Sequence, residues 1–175
     1  MNKNEPRKHH YIPQFILRKF TDDNNQVSYW NINNKTLEKR NTKSVFMNID
    51  MYRDEENHQD NPVFIENSLS IFEREISELV NNKLLNDKEI TITRVELESL
   101  RIFLSLLSFR SDLRMNQYKN KIFDESTKKI LGGDDVDFID LWKREIEELS
   151  KCRSYKDIED NENIDDIIKM DFLND

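Results

Sequence analysis

Three histidines occur in the 175 residues, and two of them, His9 and His10, are neighbours. Imidazole titrates close to neutrality, so it serves as an acid–base group or a metal ligand. In an extended segment adjacent side chains point to opposite sides, so one of the pair can enter a site while the other faces away. Pro13 fixes the backbone just beyond them, and Ile12, Phe15, Ile16 and Phe20 supply an apolar face on a short helix. That anchoring holds His10 at a defined angle, which a linker histidine does not need. The bland alternatives are a polar linker, or a histidine bonded to a backbone carbonyl.

A second set joins carboxylates and guanidinium groups. Glu66 and Glu73 are seven residues apart, two turns along one helix face, and Arg110 and Arg114, four apart, share a face on another helix. A buried arginine must be paired, so Glu–Arg pairing across the two helices is the structural reading. The functional reading is a polar pocket in which Glu66 or Glu73 binds a divalent metal with a histidine while Arg110 and Arg114 grip phosphate. A third set is Tyr29 and Trp30 beside Lys35, Lys39 and Arg40. Such residues can stack bases and neutralise phosphates, although a tryptophan there is more often half-buried under a hairpin.

Other chemistries lack their motifs. No P-loop, Gly-rich dinucleotide turn, nucleophile elbow or H-E-x-x-H sequence is present, which sets aside P-loop, Rossmann and α/β-hydrolase reactions. The single Cys152 allows neither an internal disulfide nor a cysteine zinc cluster. A reducing, cytoplasmic setting is expected. Met1 to Lys8 is polar, unlike a signal peptide, and no apolar run approaches the roughly 20 residues of a membrane span.

The elements that must position these groups follow from the pattern. Residues 1–9 read as a polar lead and 21–26 as a turn. Val27 to Ile32 and Thr36 to Asn41 read as the strands of a β-hairpin turning at Asn33, Asn34 and Lys35, with a third short strand within 44–52. Ile65, Leu69, Phe72, Ile76, Leu79 and Leu84 give an amphipathic helix over 63–85, which 86–91 break. Thr93 to Glu96 is a capping box. The helix after it carries Leu97, Leu100, Phe103, Leu104, Leu106, Leu107, Phe109 and Leu113 on nearly all sides. It is therefore expected to be the buried central helix, running kinked to Leu131 and ending at Gly132 and Gly133. Asp134 and Asp135 are expected to cap a helix bearing Val136, Ile139, Leu141, Trp142, Ile146 and Leu149, and Asn163 a last one from Ile164 to Leu173. The fold class is α+β, mostly α: an N-terminal β-hairpin unit packed on a bundle of three to four helices. A single domain over 1–175 is expected, with a motif-plus-hairpin segment 1–53, a helical core 63–131 and an acidic helical tail 134–175.

Ala is absent while Asn occurs 20 times, so helix stability must come from packing rather than propensity. The same bias suits an AT-rich bacterial or phage genome. Net charge is −8, which argues against general coating of nucleic acid. The charge is uneven: +5 over 1–53, −4 over 54–133 and −9 over 134–175.

The opening Lys8-His9-His10-Tyr11-Ile12-Pro13-Gln14-Phe15-Ile16-Leu17-Arg18-Lys19-Phe20 resembles that of the family called domain of unknown function 4238, a His-His-aromatic-aliphatic-Pro segment followed by Phe-x-Leu-Arg-x-Phe. Val27 to Ile32 is similar to its hairpin strand, Asn48 to Tyr52 to a segment ending in Tyr, Ile65 to Glu73 to its Glu-bearing helix, and Phe109 to Arg114 to its Arg-bearing helix. The resemblance covers about residues 8 to 120. It implies a naturally short or a shortened family member without the strand-rich C-terminal part, of bacterial or phage origin, and no agreed activity. His-His-Tyr-Ile-Pro also looks like the first element of the His–Asn–His nucleases. Their second histidine has no counterpart at the right spacing, because His58 lies far down the chain in an acidic loop.

Two functions are compatible with these residues. One is metal-assisted cleavage of nucleic-acid phosphodiesters in phage defence, with His10 and His9 catalytic, Glu66 and Glu73 as metal ligands, and Arg110 and Arg114 binding phosphate. The other is a non-catalytic inhibitor, carried by phage or plasmid, whose acidic helices occupy a nucleic-acid-binding host protein.

Overall fold

A computed structural model of the chain describes residues 7–85, 89–133 and 135–173. It divides into two compact units, Met1–Met51 and Tyr52–Asp175.

In the N-terminal unit, β1 (Lys8–His10) leads into a single helical turn, α1 (Gln14–Leu17), which tightens to a 3₁₀ turn over Arg18–Phe20. Strands β2 (Gln26–Asn31) and β3 (Thr36–Asn41) form the expected hairpin, in register from Gln26↔Asn41 to Asn31↔Thr36. Its turns are tied by side chains. Asp22 accepts the backbone N–H groups of Asn24 and Gln26 at 3.0 Å, and Asn31 accepts those of Asn33 and Asn34. Glu38 receives the Tyr29 hydroxyl and the Asn31 amide, both at 2.7 Å. With the Tyr29 bond as the largest cause, its carboxyl is drawn down to about 2. The expected third strand is β4 (Met47–Ile49), and its partner is β1, in a separate two-stranded sheet. Leu17, Val27 and Val45 make a small core, joined by Ile12, Tyr29 and Phe46. Phe20 is 73% exposed and does not anchor the segment, because the change to a 3₁₀ period after Leu17 moves it off the apolar face. Of the expected polar lead, Lys8 and His9 are strand, and residues 1–6 lie outside the described residues.

The C-terminal unit is helical. α2 (Phe64–Leu79) buries Ile65, Leu69, Phe72 and Ile76 and widens into a π turn over Val80–Leu84. α3 (Arg94–Phe109) starts at the capping box of Thr93 and Glu96. It buries Ile102, Phe103, Leu106 and Phe109, but Leu97 is 37% and Leu104 55% exposed. The expectation of a helix buried all round is therefore overturned. The centre is α6 (Phe138–Lys151), which packs against α2, α3 and α4 and fully buries Trp142, Ile146 and Leu149. One clean apolar stripe facing three neighbours buries more than leucines spread around a cylinder that has neighbours on one side only.

α3 also stops before the expected Leu131. Its terminal carbonyls are satisfied by side chains: the Tyr52 hydroxyl donates to Arg110 O at 3.1 Å and the Trp142 indole to Phe109 O at 3.0 Å. Ser111 then caps a new helix, α4 (Asp112–Lys119), and Asp124 caps α5 (Glu125–Ile130). Gly132 and Gly133, at φ +104° and +81°, end α5 as expected, with the Gly133 N–H reaching Lys128 O at 2.8 Å. Asp137 rather than Asp135 caps α6, because its carboxylate faces the N–H groups of Ile139 and Asp140. Asp134, like residues 86–88 of the expected break, lies outside the described residues. The sequence reading had no counterpart for α7 (Tyr155–Asp160), which opens on a Ser154–Asp157 capping box. α8 (Asp166–Leu173) starts later than expected, and Asp165, not Asn163, takes an N–H of its first turn, that of Ile167. Among the described residues no helix is long and apolar enough to cross a membrane.

Candidate active site

His9 and His10 sit in β1, opposite Asn48 and Met47 of β4. Alternation along the strand separates them as expected: His9 is fully buried and His10 half-buried. His10 Nε2 lies 3.2 Å from the Thr42 carbonyl oxygen and 3.4 Å from the Gln14 amide nitrogen. A carbonyl only accepts and an amide nitrogen only donates, so the Nε2 proton is present when the ring bonds Thr42 and absent when it bonds Gln14. Gln14, one turn further on, is steadied by Arg18, which donates to its Oε1 at 3.2 Å. The Thr42 carbonyl and the Gln14 amide nitrogen compete for the same ring nitrogen, so His10 Nε2 meets one acceptor and one donor.

The carboxylates stand in the C-terminal unit. Glu66 lies in the first turn of α2 and Glu73 two turns on. Arg110, 1% exposed, caps the C-terminus of α3 and donates through Nη2 to Glu73 Oε1 at 2.6 Å. The Glu–Arg pairing allowed by the helix spacing is therefore present. Arg110 Nε is buried without a hydrogen-bond partner. Glu66 is half-buried and has no hydrogen-bond partner among the described residues. Burial foremost, then the negative charge of Glu73, pushes its carboxyl up to about 7, with the Arg110 cation opposing. Burial also raises Glu73, against the pull of Arg110. The site is a carboxylate pair in which one member is fixed by a buried cation and the other is poised to change protonation.

Arg110 and Arg114 do not share a helix face, because the chain breaks at Ser111 between α3 and α4. Arg110 is committed to Glu73. Arg114 donates to Gln117 Oε1 at 2.9 Å and lines a cleft with Ser105, Ser108 and Asp171. Among the described residues no group of three or more His, Cys, Asp or Glu side chains is placed to hold a metal ion.

Sequence reasoning missed the setting of His58. Its ring stacks on Phe64 at 4.7 Å, and Nε2 lies 2.6 Å from Glu147 Oε2, 89 residues away. No local signal could have joined them. Cys152 is buried, which pushes its thiol up to about 11 and leaves it a poor nucleophile at neutral pH.

Two small antiparallel sheets and a helical assembly centred on α6 define an α+β protein, mostly α, whose helical unit brings Glu66, Glu73 and Arg110 together. The chain belongs to the family described as protein of unknown function DUF4238, whose model matches residues 8–169. The match begins at the histidine opening and runs past residue 120, through α6 and α7 into α8, so the acidic tail as far as residue 169 is family sequence. No curated protein and no solved structure matches the chain.

Proposed function

We propose that the chain cleaves phosphodiester bonds of nucleic acid and that Glu66 transfers the proton. The observation that carries this is the state of Glu66: half-buried, without a hydrogen-bond partner among the described residues, and held near 7 beside the Glu73–Arg110 pair. A carboxyl near the ambient pH can accept a proton from an attacking water or give one to a leaving oxygen, and such groups cluster at active sites. Burial first and then the charge of Glu73 raise Glu66, and Arg110 holds Glu73 in place. Two carboxylates are also a usual protein share of a magnesium site completed by substrate phosphate. A divalent metal there would compete with the proton on Glu66. His10, in the N-terminal unit, is a separate proton-transferring candidate.

The inhibitor reading has less support. In the acidic tail, Asp137 and Asp157 cap helices, Asp165 bonds the first turn of α8, and the buried Glu145 accepts the Asp165 N–H. Those charges serve the fold rather than a docking face.

The test is cleavage of short DNA and RNA substrates by the full chain with Mg²⁺, Mn²⁺ or a chelator. Glu66→Gln should lower the rate by roughly 100-fold or more, the usual share of general acid–base catalysis, while the melting temperature is no lower than that of wild type. Cleavage by Glu66→Gln at the wild-type rate, or no cleavage of any substrate by wild type, would contradict the proposal.

A further inference from the structure

The outer face of the hairpin has the composition of a base-stacking platform. Register puts Trp30 opposite Leu37 and Ser28 opposite Lys39, so these four side chains share one face, while Val27 and Tyr29 on the other face join the core. Trp30 is 59% and Leu37 69% exposed, and Ile32 at the turn 80%. The indole is thus not tucked under the hairpin. Lys39 lies on the same face, Lys35 in the turn of the hairpin and Lys43 just past its open end. Lys35 and Lys43 are exposed and make no ion pair among the described residues. Lys39 is held only by an exposed pair with Asp22 at 2.8 Å, which a phosphate can replace at little cost. The charge of the whole chain is arranged the same way: Met1–Met51 carries +4 and Tyr52–Asp175 −12.

We infer that this face binds single-stranded nucleic acid, an unpaired base stacking on Trp30 while Lys35, Lys39 and Lys43 neutralise the neighbouring phosphates. Charge complementarity selects a polyanion. The flat exposed indole selects one with unpaired bases, because a duplex keeps its base faces inside the stack. A protein partner fits less well, since lysine is depleted at protein interfaces and Lys35, Lys39 and Lys43 lie along this hairpin. The inference names the form of the substrate and so rests on the cleavage reading, yet binding is measured separately from cleavage. The side chains tied below this face, Glu38 to Tyr29, Asn31 and Arg40, keep the platform rigid in the free protein.

The two tryptophans make the test specific, because Trp142 is fully buried and Trp30 is exposed. The full chain is titrated with a labelled oligothymidine in chelator, following both anisotropy of the oligonucleotide and indole emission. Binding with quenching of the exposed indole is expected. Trp30→Ala should weaken it roughly tenfold or more, and Trp30→Phe should recover most of the loss. Both variants should melt like wild type, since the side chain is exposed. A duplex of the same length should bind at least about tenfold more weakly. No binding of the oligonucleotide, unchanged binding by Trp30→Ala, or equal binding of duplex would overturn the inference. Normal binding by wild type with no cleavage in Mg²⁺ or Mn²⁺ would sink the cleavage reading alone.

Discussion

The N-terminal unit buries Leu17, Val27 and Val45 as its core and holds its shape largely with polar turns, whereas the C-terminal unit packs Phe72, Phe103, Phe109 and Trp142 among aliphatic residues of four helices. Asp22, Asn31, Glu38 and Asn41 each tie local backbone or side chains in the first. In the second, the side chains of Tyr52 and Trp142 join segments distant in sequence. The difference extends to chemistry. The small unit displays an indole and cations at its surface, which suits capture of a flexible polyanion. The large unit can bury charge, and there burial carries the Glu66 carboxyl up to about 7. A small core cannot meet the cost of an unpaired ionisable group, and a large one can.

The contrast breaks most visibly at Trp142. Trp142→Ala should cost about 3–5 kcal/mol in denaturant unfolding, since it opens a large cavity and orphans the Phe109 carbonyl. A loss under about 1 kcal/mol, close to the surface range, would mean that α6 is not the centre. Leu17→Ala should cost about 2 kcal/mol, at the low end for buried leucine because few neighbours surround it. The loss should appear as faster amide exchange in β2 and β3, with the amides of α6 unaffected. Uniform loss of protection over both units would merge what the comparison separates.

Glu66→Gln sharpens the comparison through pH. The folded carboxyl titrates near 7 and the ordinary value is 4.5, so between these the folded state keeps a proton that the unfolded chain releases. Wild-type stability should therefore fall as pH rises through that window and level off above it. Gln does not ionise, so the variant should match wild type near pH 4 and exceed it by about 1–2 kcal/mol at pH 8, less than the full shift implies because the carboxyl is half-buried. A pH-independent difference would remove burial as the cause. The smallest effect belongs to Leu104→Ala, at 55% exposure, which should change stability by no more than about 0.5–1 kcal/mol. A loss of about 3 kcal/mol, in the core range, would restore α3 as the buried helix.

Local rules were legible in the chain. Alternation from Val27 to Asn31 with an Asn-Asn-Lys turn located the hairpin, the 3–4 spacing from Ile65 to Ile76 located α2, and Thr93 with Glu96 marked the start of α3. Both ends of the Glu73–Arg110 pair were legible as well, because helix spacing put Glu66 and Glu73 on one face and an arginine in an apolar helix demands a partner. What failed was the assignment of neighbours. Leucines on several sides of α3 cannot say which side another helix will cover, and Leu104 was misplaced for that reason. Partnerships between distant residues left no trace either: β1 with β4, and His58 with Glu147. The raised carboxyl of Glu66 depends on the same long-range burial, so the sequence could nominate Glu66 but not its proton affinity.

The most direct test of the account is therefore a carboxyl ¹³C titration of the full chain, with Glu66→Gln assigning the resonance. The account predicts that Glu66 titrates with a midpoint of about 7. A midpoint at the ordinary 4.5 would contradict it and remove the poised proton on which the proposed chemistry depends.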